Sequence, residues 1–332
     1  MILAGDVGGT KTNLALYAVL DGELVRRRSA SLRSADYGGL EPLLRAFLGP
    51  NPPAIAAAAF GVAGPVHRNR THTPNLAWAQ VDGDATARAL GIPQLEIMND
   101  LVATALGVVA LPPEQLRTLQ AGQPDPQATV AVIAAGTGLG MCALVPGEGG
   151  PRPMPSEGGH VGFAARDARE QRLQRHLWAE LGGRLSLERV VSGPGLGAIY
   201  RFLRDAEGMA EDAALRAALD ARPQDAGAII GAAARTDPLC REAMAIFLGA
   251  YGAAAGDLAL VCLARGGVYV AGSVAAKNLE LIVDGGFLAA FLDKGRYRPE
   301  LERIPLHVVL DEEAALLGAA HRALVLKTCR AT

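Results

Sequence analysis

Two glycine turns, one early in each half of the chain, carry the first chemistry legible in the sequence. Asp6-Val7-Gly8-Gly9-Thr10-Lys11 follows the apolar run Met1–Gly5 and precedes Thr12–Val19, so it reads as a strand turning tightly into a second strand. Adjacent glycines let backbone N–H groups approach a ligand that a Cβ would hold off, which suits a phosphate. Val130–Ala135, Gly136-Thr137-Gly138-Leu139-Gly140 and Met141–Val145 repeat the design. Neither turn is a Walker A loop, since no Gly-Lys-Ser/Thr opens a helix, and neither has the strand-turn-helix setting of a dinucleotide fingerprint. One such turn is usually only a hairpin. A pair suggests a duplicated fold closing on one nucleotide.

Polar side chains form a second group. Asn99-Asp100 ends a strand and starts a helix, at the carboxyl edge of a sheet where ligands bind in open α/β folds. Asp100 is therefore a candidate base, with an N-cap as the structural alternative. Glu157 and His160 flank Gly158-Gly159 in a segment preceded by Pro151, Pro153 and Pro155. Glu-x-x-His on a helix would suggest metal ligation, but the glycine pair argues against a helix. Taken alone, these are a solvated Glu and a His bonded to backbone, and Glu188 is a surface charge. Lys11 reads as a phosphate contact or a cap on its hairpin. Trp78 reads as a core or cleft-wall residue.

In chain order these segments resemble the actin-like sugar kinases (the ASKHA group), and within them the bacterial glucokinases. The resemblance runs through Ala63-Gly64-Pro65-Val66, Asn99-Asp100, Gly136–Gly140, Glu157-Gly158-Gly159-His160, Glu188-Arg189-Val190-Val191-Ser192-Gly193-Pro194-Gly195 and Ala271-Gly272-Ser273. It covers nearly the whole chain, and the Glu157 and Glu188 stretches are its most specific parts. It implies an α/β, two-domain, actin-like (ribonuclease H-like) ATPase fold with a cleft between a small and a large domain. The implied reaction is ATP-dependent phosphorylation of glucose at the 6-hydroxyl, with Asp100 as general base. An ordinary Asp, with a pKa of about 3.9, is only weakly basic. That suffices, because phosphoryl transfer passes through a loose transition state governed by alignment and charge neutralisation.

By the same resemblance Asn75, Asn99, Asp100, Glu157, His160 and Glu188 contact the sugar. Gly5, Asp6, Val7, Gly8, Gly9, Thr10, Gly136, Thr137 and Gly138 hold the phosphates. Gly272 and Ser273 form the adenosine-side turn, and Asp6 orients Mg²⁺ through water. Lys11 departs from the Asn often found at this position in the proteobacterial enzymes. The ROK kinases also resemble the amino terminus, but they typically follow the matching His with a cysteine-rich zinc loop. Here Val161-Gly162-Phe163-Ala164 follows His160, so the non-ROK group is preferred and no structural zinc is expected. Competing readings are a kinase for mannose, fructose or an amino sugar, a sugar-sensing regulator on the same fold, and a nucleotide-driven chaperone. The donor could also be ADP or polyphosphate.

Composition sets the frame for these residues. A chain of 332 residues suits two domains at roughly 150 residues each. With 32 Lys+Arg against 34 Asp+Glu, the formal net charge of -2 calls for neither nucleic acid nor an anionic membrane. Arg26-Arg27-Arg28, the one basic run, reads as a solvated hairpin edge. Cys142, Cys240, Cys262 and Cys329 show no paired spacing, and no signal peptide precedes the first strand, so a cytoplasmic protein without disulfides is expected. Ala243–Ala264 holds only Asp257 as a charge, but its uncharged run is shorter than the about 20 residues a bilayer needs. Its Ala and Gly content fits a buried helix. Homodimers are common for such folds.

The elements that position the chemistry follow a mixed β and α order, which implies α/β domains. Strands are expected at Ile2–Val7, Leu14–Val19, Leu24–Ser29, Ala54–Phe60 and Leu95–Met98, with helices near Gly39–Leu48, Ala85–Leu90 and Leu101–Val109. Asp82 and Asp84 are candidate N-caps. The proline-bearing stretch Leu111–Ala128 is the expected link. Beyond it come a helix at about Asp167–Leu181, several Ala-rich helices, strands at Val268–Ala271 and Leu306–Leu310, and a final helix at Glu312–Leu326. In the family that helix returns to the small domain, so the expected domains are 1–110 plus 311–332 and 111–310.

Overall fold

The computed structural model describes residues 1–73, 76, 78, 80–148 and 150–328. The chain divides into two compact units. One comprises Met1–Pro113, Gly147–Pro155 and the chain from Asp311 onward; the other comprises Glu114–Pro146 and Ser156–Leu310.

In the first unit, β1 (Ile2–Val7), β2 (Lys11–Leu20), β3 (Glu23–Arg33), β4 (Ala57–Val62) and β8 (Leu95–Asn99) form a sheet in the order β3-β2-β1-β4-β8. Between β4 and β8 lies a small ribbon of β5 (Val66–His67), β6 (Arg70–Thr71) and β7 (Val81–Asp82). β1, β2 and β3 are antiparallel neighbours, whereas β4 and β8 run parallel to β1. β4 is Ala-Ala-Ala-Phe-Gly-Val and buried throughout, as a parallel strand covered on both faces must be. The small residues admit helices close against it. Asp100–Val108 and the final helix Ala314–Thr328 meet backbone to backbone: a Cβ at Gly107 would lie 1.9 Å from the Ala314 carbonyl oxygen, and one at Gly318 would lie 1.8 Å from that of Ala103. Leu43, Leu44 and Phe47 of the helix Leu40–Leu48 complete the core, together with Trp78. Trp78 is 4% exposed and donates Nε1–H to the Tyr37 carbonyl at 2.8 Å, which makes it a core residue.

Arg26 is more engaged than a solvated edge residue. It sits in β3, pairs with Glu313 at 2.8 Å and lies over the Tyr17 ring, while Arg28 lies over Phe47. Asp82 caps the helix Gly83–Leu90 by accepting from the Ala85 N–H, and Asp84 instead receives the Asn69 side chain.

The second unit has β9 (Leu116–Gln120), β10 (Val130–Ala135), β11 (Leu139–Val145), β13 (Gly267–Ala271) and β14 (Leu306–Val309) in the order β11-β10-β13-β14-β9, and the chain also forms a strand β12 (Arg152–Ser156). β10 pairs antiparallel with β11 and parallel with β13, which pairs parallel with β14. The run β11-β10-β13-β14 repeats the run β2-β1-β4-β8. The duplication suggested by two glycine turns is thus a duplication of sheet topology.

Two strands lie where the sequence pattern marks none. Leu116–Gln120, inside the expected link, adds antiparallel to the edge of the sheet at β14, supplying backbone pairing that its weak pattern does not advertise. Arg152–Ser156 forms a strand despite Pro153 and Pro155, which an edge strand tolerates because one side of its backbone needs no ladder bonds. The helix Pro238–Cys262 passes a membrane-span test by length and composition, yet 72% of its apolar window is buried inside the protein. Phe247 and Tyr251 on this helix and Phe287 stack edge-on in the core beneath the sheet.

Candidate active site

In the first unit the glycine turn joins β1 to β2. The Gly8 N–H bonds the Lys11 carbonyl at 3.0 Å, and Gly9 and Thr10 stand exposed at the tip. Ser34, fully buried beyond the end of β3, fixes the turn from behind. Its Oγ donates to the Gly8 carbonyl at 2.7 Å and shares a bond with Thr12 Oγ1 at 3.0 Å, and its N–H donates to the Thr10 carbonyl at 3.1 Å. Gly5 has another purpose. A Cβ there would lie 2.5 Å from the Phe60 ring, so this glycine serves core packing.

Asp6 aligns with Gly61 across β4, and Gly61 with Met98 across β8, so Asp6 and the Asn99-Asp100 pair share the carboxyl edge of one parallel sheet. Asn99 takes the capping role. Its Oδ1 accepts from the Leu101 and Val102 N–H groups at 2.9 and 3.3 Å, and its Nδ2 donates to the Gly64 carbonyl. Asp100 is therefore the first helical residue, and its Oδ1 also accepts from Leu101 N–H at 2.9 Å. Burial and then the neighbouring Asp100 carboxylate push the Asp6 carboxyl up to about 6, while Asn13 and Lys11 pull the other way. Two carboxylates in one partly buried field each disfavour ionisation of the other. Asn75 lies outside the described residues.

In the second unit the turn between β10 and β11 closes with the Gly136 N–H on the Gly138 carbonyl at 2.8 Å, leaving Thr137 exposed. Glu157, His160 and Glu188, scattered in sequence, converge beside it. His160 Nε2 is 3.9 Å from Glu157 Oε2, and His160 Nδ1 is 4.0 Å from Glu188 Oε1. Glu188 Oε2 accepts from the Leu139 N–H at 2.9 Å. Gly158–His160 is one 3₁₀ turn rather than an open loop. It packs on β11 so closely that a Cβ on Gly159 would lie 1.9 Å from the Leu139 carbonyl oxygen. The glycine pair thus brings the turn down onto the strand and leaves the exposed Glu157 and His160 to face outward. Ser192 caps the helix Gly193–Asp205, whose first N–H bonds the Gly136 carbonyl at 2.8 Å.

Gly272 follows β13 with φ +90, a left-handed conformation that favours glycine, and the exposed Ser273 opens a short helix. A cavity of about 330 Å³ adjoins the second turn, lined by Thr137, Glu188, Gly193, Arg201, Gln224 and Gly227 among others. Arg201, Gln224 and Gly227 carry no local motif, and sequence reasoning missed them. It also missed Tyr251. This fully buried phenol accepts from the Ala135 N–H at 3.1 Å and lies 3.3 and 3.2 Å from the Ile133 and Ala271 carbonyl oxygens, joining the strand ends that lead into Gly136 and Gly272. Ser34 had a weak signal only in being a small polar residue at a strand end. Among the described residues, no group of three or more His, Cys, Asp or Glu is arranged to hold a metal ion.

Comparison with known proteins gives a consistent result. The family model described as Glucokinase matches residues 3–325. The glucokinase of Nostoc punctiforme is 41% identical over 334 residues, covering 96% of this chain and 98% of the relative. Among solved structures, glucokinase from an Antarctic psychrotroph superposes with a TM-score of 0.83 at 30% identity, covering 97% of this chain and 98% of that one. A ROK family glucokinase from Streptomyces griseus, solved in complex with glucose and AMPPNP, shares the fold with a TM-score of 0.64 at 21% identity, over 97% and 98% of the two chains.

Proposed function

The chain belongs to the glucokinase family, and from that premise we infer how its residues divide the work of phosphorylating glucose. It is an enzyme of the actin-like α/β fold that transfers a phosphoryl group from ATP to glucose. In our reading Asp100 accepts the proton of the 6-hydroxyl as that oxygen bonds the γ-phosphorus and the bond from that phosphorus to the bridging β,γ-oxygen breaks, releasing ADP. The product is glucose 6-phosphate. A placed base contributes ~10²–10⁴-fold to such a step. With Asn99 committed to the helix cap, the carboxylate one residue on is set at the sheet edge without having to act as the cap itself.

The observation that carries the sugar assignment is the convergence of Glu157, His160 and Glu188 beside Gly136–Gly138. Carboxylates accept from vicinal hydroxyls, and the imidazole can either donate or accept, so the cluster suits a polyhydroxylated ligand. Asn75 and Asn99 complete the proposed sugar contacts. Val7 through Thr10 and Gly136 through Gly138 are the proposed phosphate turns, and Gly272-Ser273 with the cavity beside Thr137 is the proposed nucleoside side. Mg²⁺ would neutralise phosphate charge, and Asp6 would hold it through water; the raised Asp6 pKa beside a second carboxylate fits a cation there. We further read the protein as cytoplasmic and homodimeric.

Replacing Asp100 by Asn tests the base. We expect kcat to fall by ~10²–10⁴-fold while glucose still binds, because the amide keeps the shape and loses the acceptor. Near-normal kcat in the folded variant would remove Asp100 from this role.

A further inference from the structure

Glu188 touches both halves of the chemistry assigned to the second unit. One carboxylate oxygen, Oε1, stands 4.0 Å from His160 Nδ1, on the side given to sugar hydroxyls. The other, Oε2, accepts the N–H of Leu139, the residue directly after the Gly136–Gly138 turn. The approach is close: a Cβ on Gly138 would lie 2.6 Å from Oε2, so glycine at 138 leaves the carboxylate room to lie against the turn. Five residues further on, the Gly193 N–H bonds the Gly136 carbonyl. The stretch from Glu188 to Gly193 therefore grips both ends of the turn, once through a side chain and once through backbone.

We propose that Glu188 is a positioning residue for the phosphate turn as well as a sugar contact, so that glucose and nucleotide bind cooperatively through its carboxylate. The proposal rests on the sugar assignment above. A carboxylate is planar and rigid. An oxygen held by a sugar hydroxyl fixes the orientation of its partner oxygen, and that partner sets the Leu139 N–H at the root of the turn. Binding on one side thus reduces the ordering left to be done on the other, and linkage makes the coupling reciprocal.

The test is titration calorimetry of the whole protein with AMP-PNP, with and without saturating glucose, and with glucose alone. Glu188→Ala removes the acceptor. It should raise the AMP-PNP Kd on the order of tenfold without any glucose present, the range expected for losing a charged hydrogen-bond partner. Glu188→Gln keeps an amide oxygen for the Leu139 N–H and should hold the AMP-PNP Kd within about twofold, while both variants weaken glucose binding. Wild-type protein should bind AMP-PNP more tightly with glucose than without, and Glu188→Ala should lose that enhancement. If Glu188→Ala does not fold by near-ultraviolet circular dichroism, Glu188→Asp replaces it, since the shorter side chain withdraws the oxygen but keeps the charge. An unchanged AMP-PNP Kd beside a raised glucose Kd would overturn the positioning role and leave the sugar contact standing. Equal loss of AMP-PNP affinity in the Ala and Gln variants would also overturn it, because the acceptor oxygen would then be irrelevant. Weakened AMP-PNP with unchanged glucose affinity in every variant would overturn the coupling and the sugar contact on which it rests.

Discussion

At the residue scale, the site is built from side chains whose ordinary chemistry is shifted by their neighbours. Asp6 shows this most directly. Its unfolded carboxyl titrates at 3.8 and its folded one at about 6, chiefly because burial and then Asp100 disfavour the charged form. A raised carboxyl pKa means that the folded state holds its proton more tightly than the unfolded state. The cost of the charge is therefore fully present above pH 6 and fades between pH 6 and pH 4 as the folded carboxyl takes up a proton. Asp6→Asn should accordingly raise the Tm of the ligand-free protein at pH 7.5 and raise it roughly half as much at pH 5, while lowering activity. Thermal melts at the two pH values check this, and a lower Tm at pH 7.5 would contradict the assigned shift. Glu157→Ala and His160→Ala address the sugar side. Each should raise the glucose KM by tenfold or more while changing the ATP KM little, losses of about 1.4 kcal/mol or above. Steady-state kinetics with each substrate varied in turn would expose a phosphate role instead, through a matching rise in the ATP KM.

Elements rather than residues set the geometry of the turns. Each glycine turn is a hairpin whose first strand continues, through parallel neighbours, into a sheet with a helix laid close against it. Fixing such a turn requires support from behind, and it comes from buried hydroxyls: Ser34 and Thr12 in one unit, Tyr251 in the other. Burial keeps the Tyr251 phenol protonated well above its usual range. Tyr251→Phe keeps the ring packed on Phe247 and Phe287 but leaves the Ala135 N–H without its acceptor in the core. We expect a loss of about 1–3 kcal/mol in stability and a raised ATP KM with a nearly constant glucose KM. Denaturant melts together with kinetics test the pair of effects. Loss of stability with both KM values unchanged would make Tyr251 a core residue only.

At the scale of the molecule, each unit has its own hydrophobic core, and the chain enters the first unit in three separate segments. The final helix docks on Asp100–Val108 through Gly107 and Gly318, so the far end of the chain completes the scaffold under Asp100. On the second unit Val261 and Leu263 are 82% and 65% exposed, and Val161 is half exposed. Apolar side chains that open to solvent are consistent with a covered face in a homodimer. Light scattering is expected to give a mass near twice the chain's 34.4 kDa, and a monomeric mass at micromolar concentration would refute the assembly.

Much of the site was legible because its signals are local. A glycine pair between two apolar alternations, or an Asn-Asp at a strand end, constrains the backbone within a few residues, and short-range sterics enforce it. Element types along β1, β4, β10 and Asp100–Val108 followed from the same short-range pattern. Leu116–Gln120 and Arg152–Ser156 did not, since an edge strand owes its existence to pairing and not to its own sequence. Tyr251, Ser34, Arg201 and Gln224 were silent for a related reason: a buried hydroxyl or a cavity-lining side chain acquires meaning only from what lies across from it. The sequence by itself marked the two turns and the strand-end carboxylate, and the family resemblance singled out the Glu157 and Glu188 stretches. Only the tertiary structure decided that Asn99 and not Asp100 is the cap, that Asp6 shares a field with Asp100, and that Glu188 reaches the Gly136–Gly138 turn, because each depends on distances between segments that the chain order leaves free.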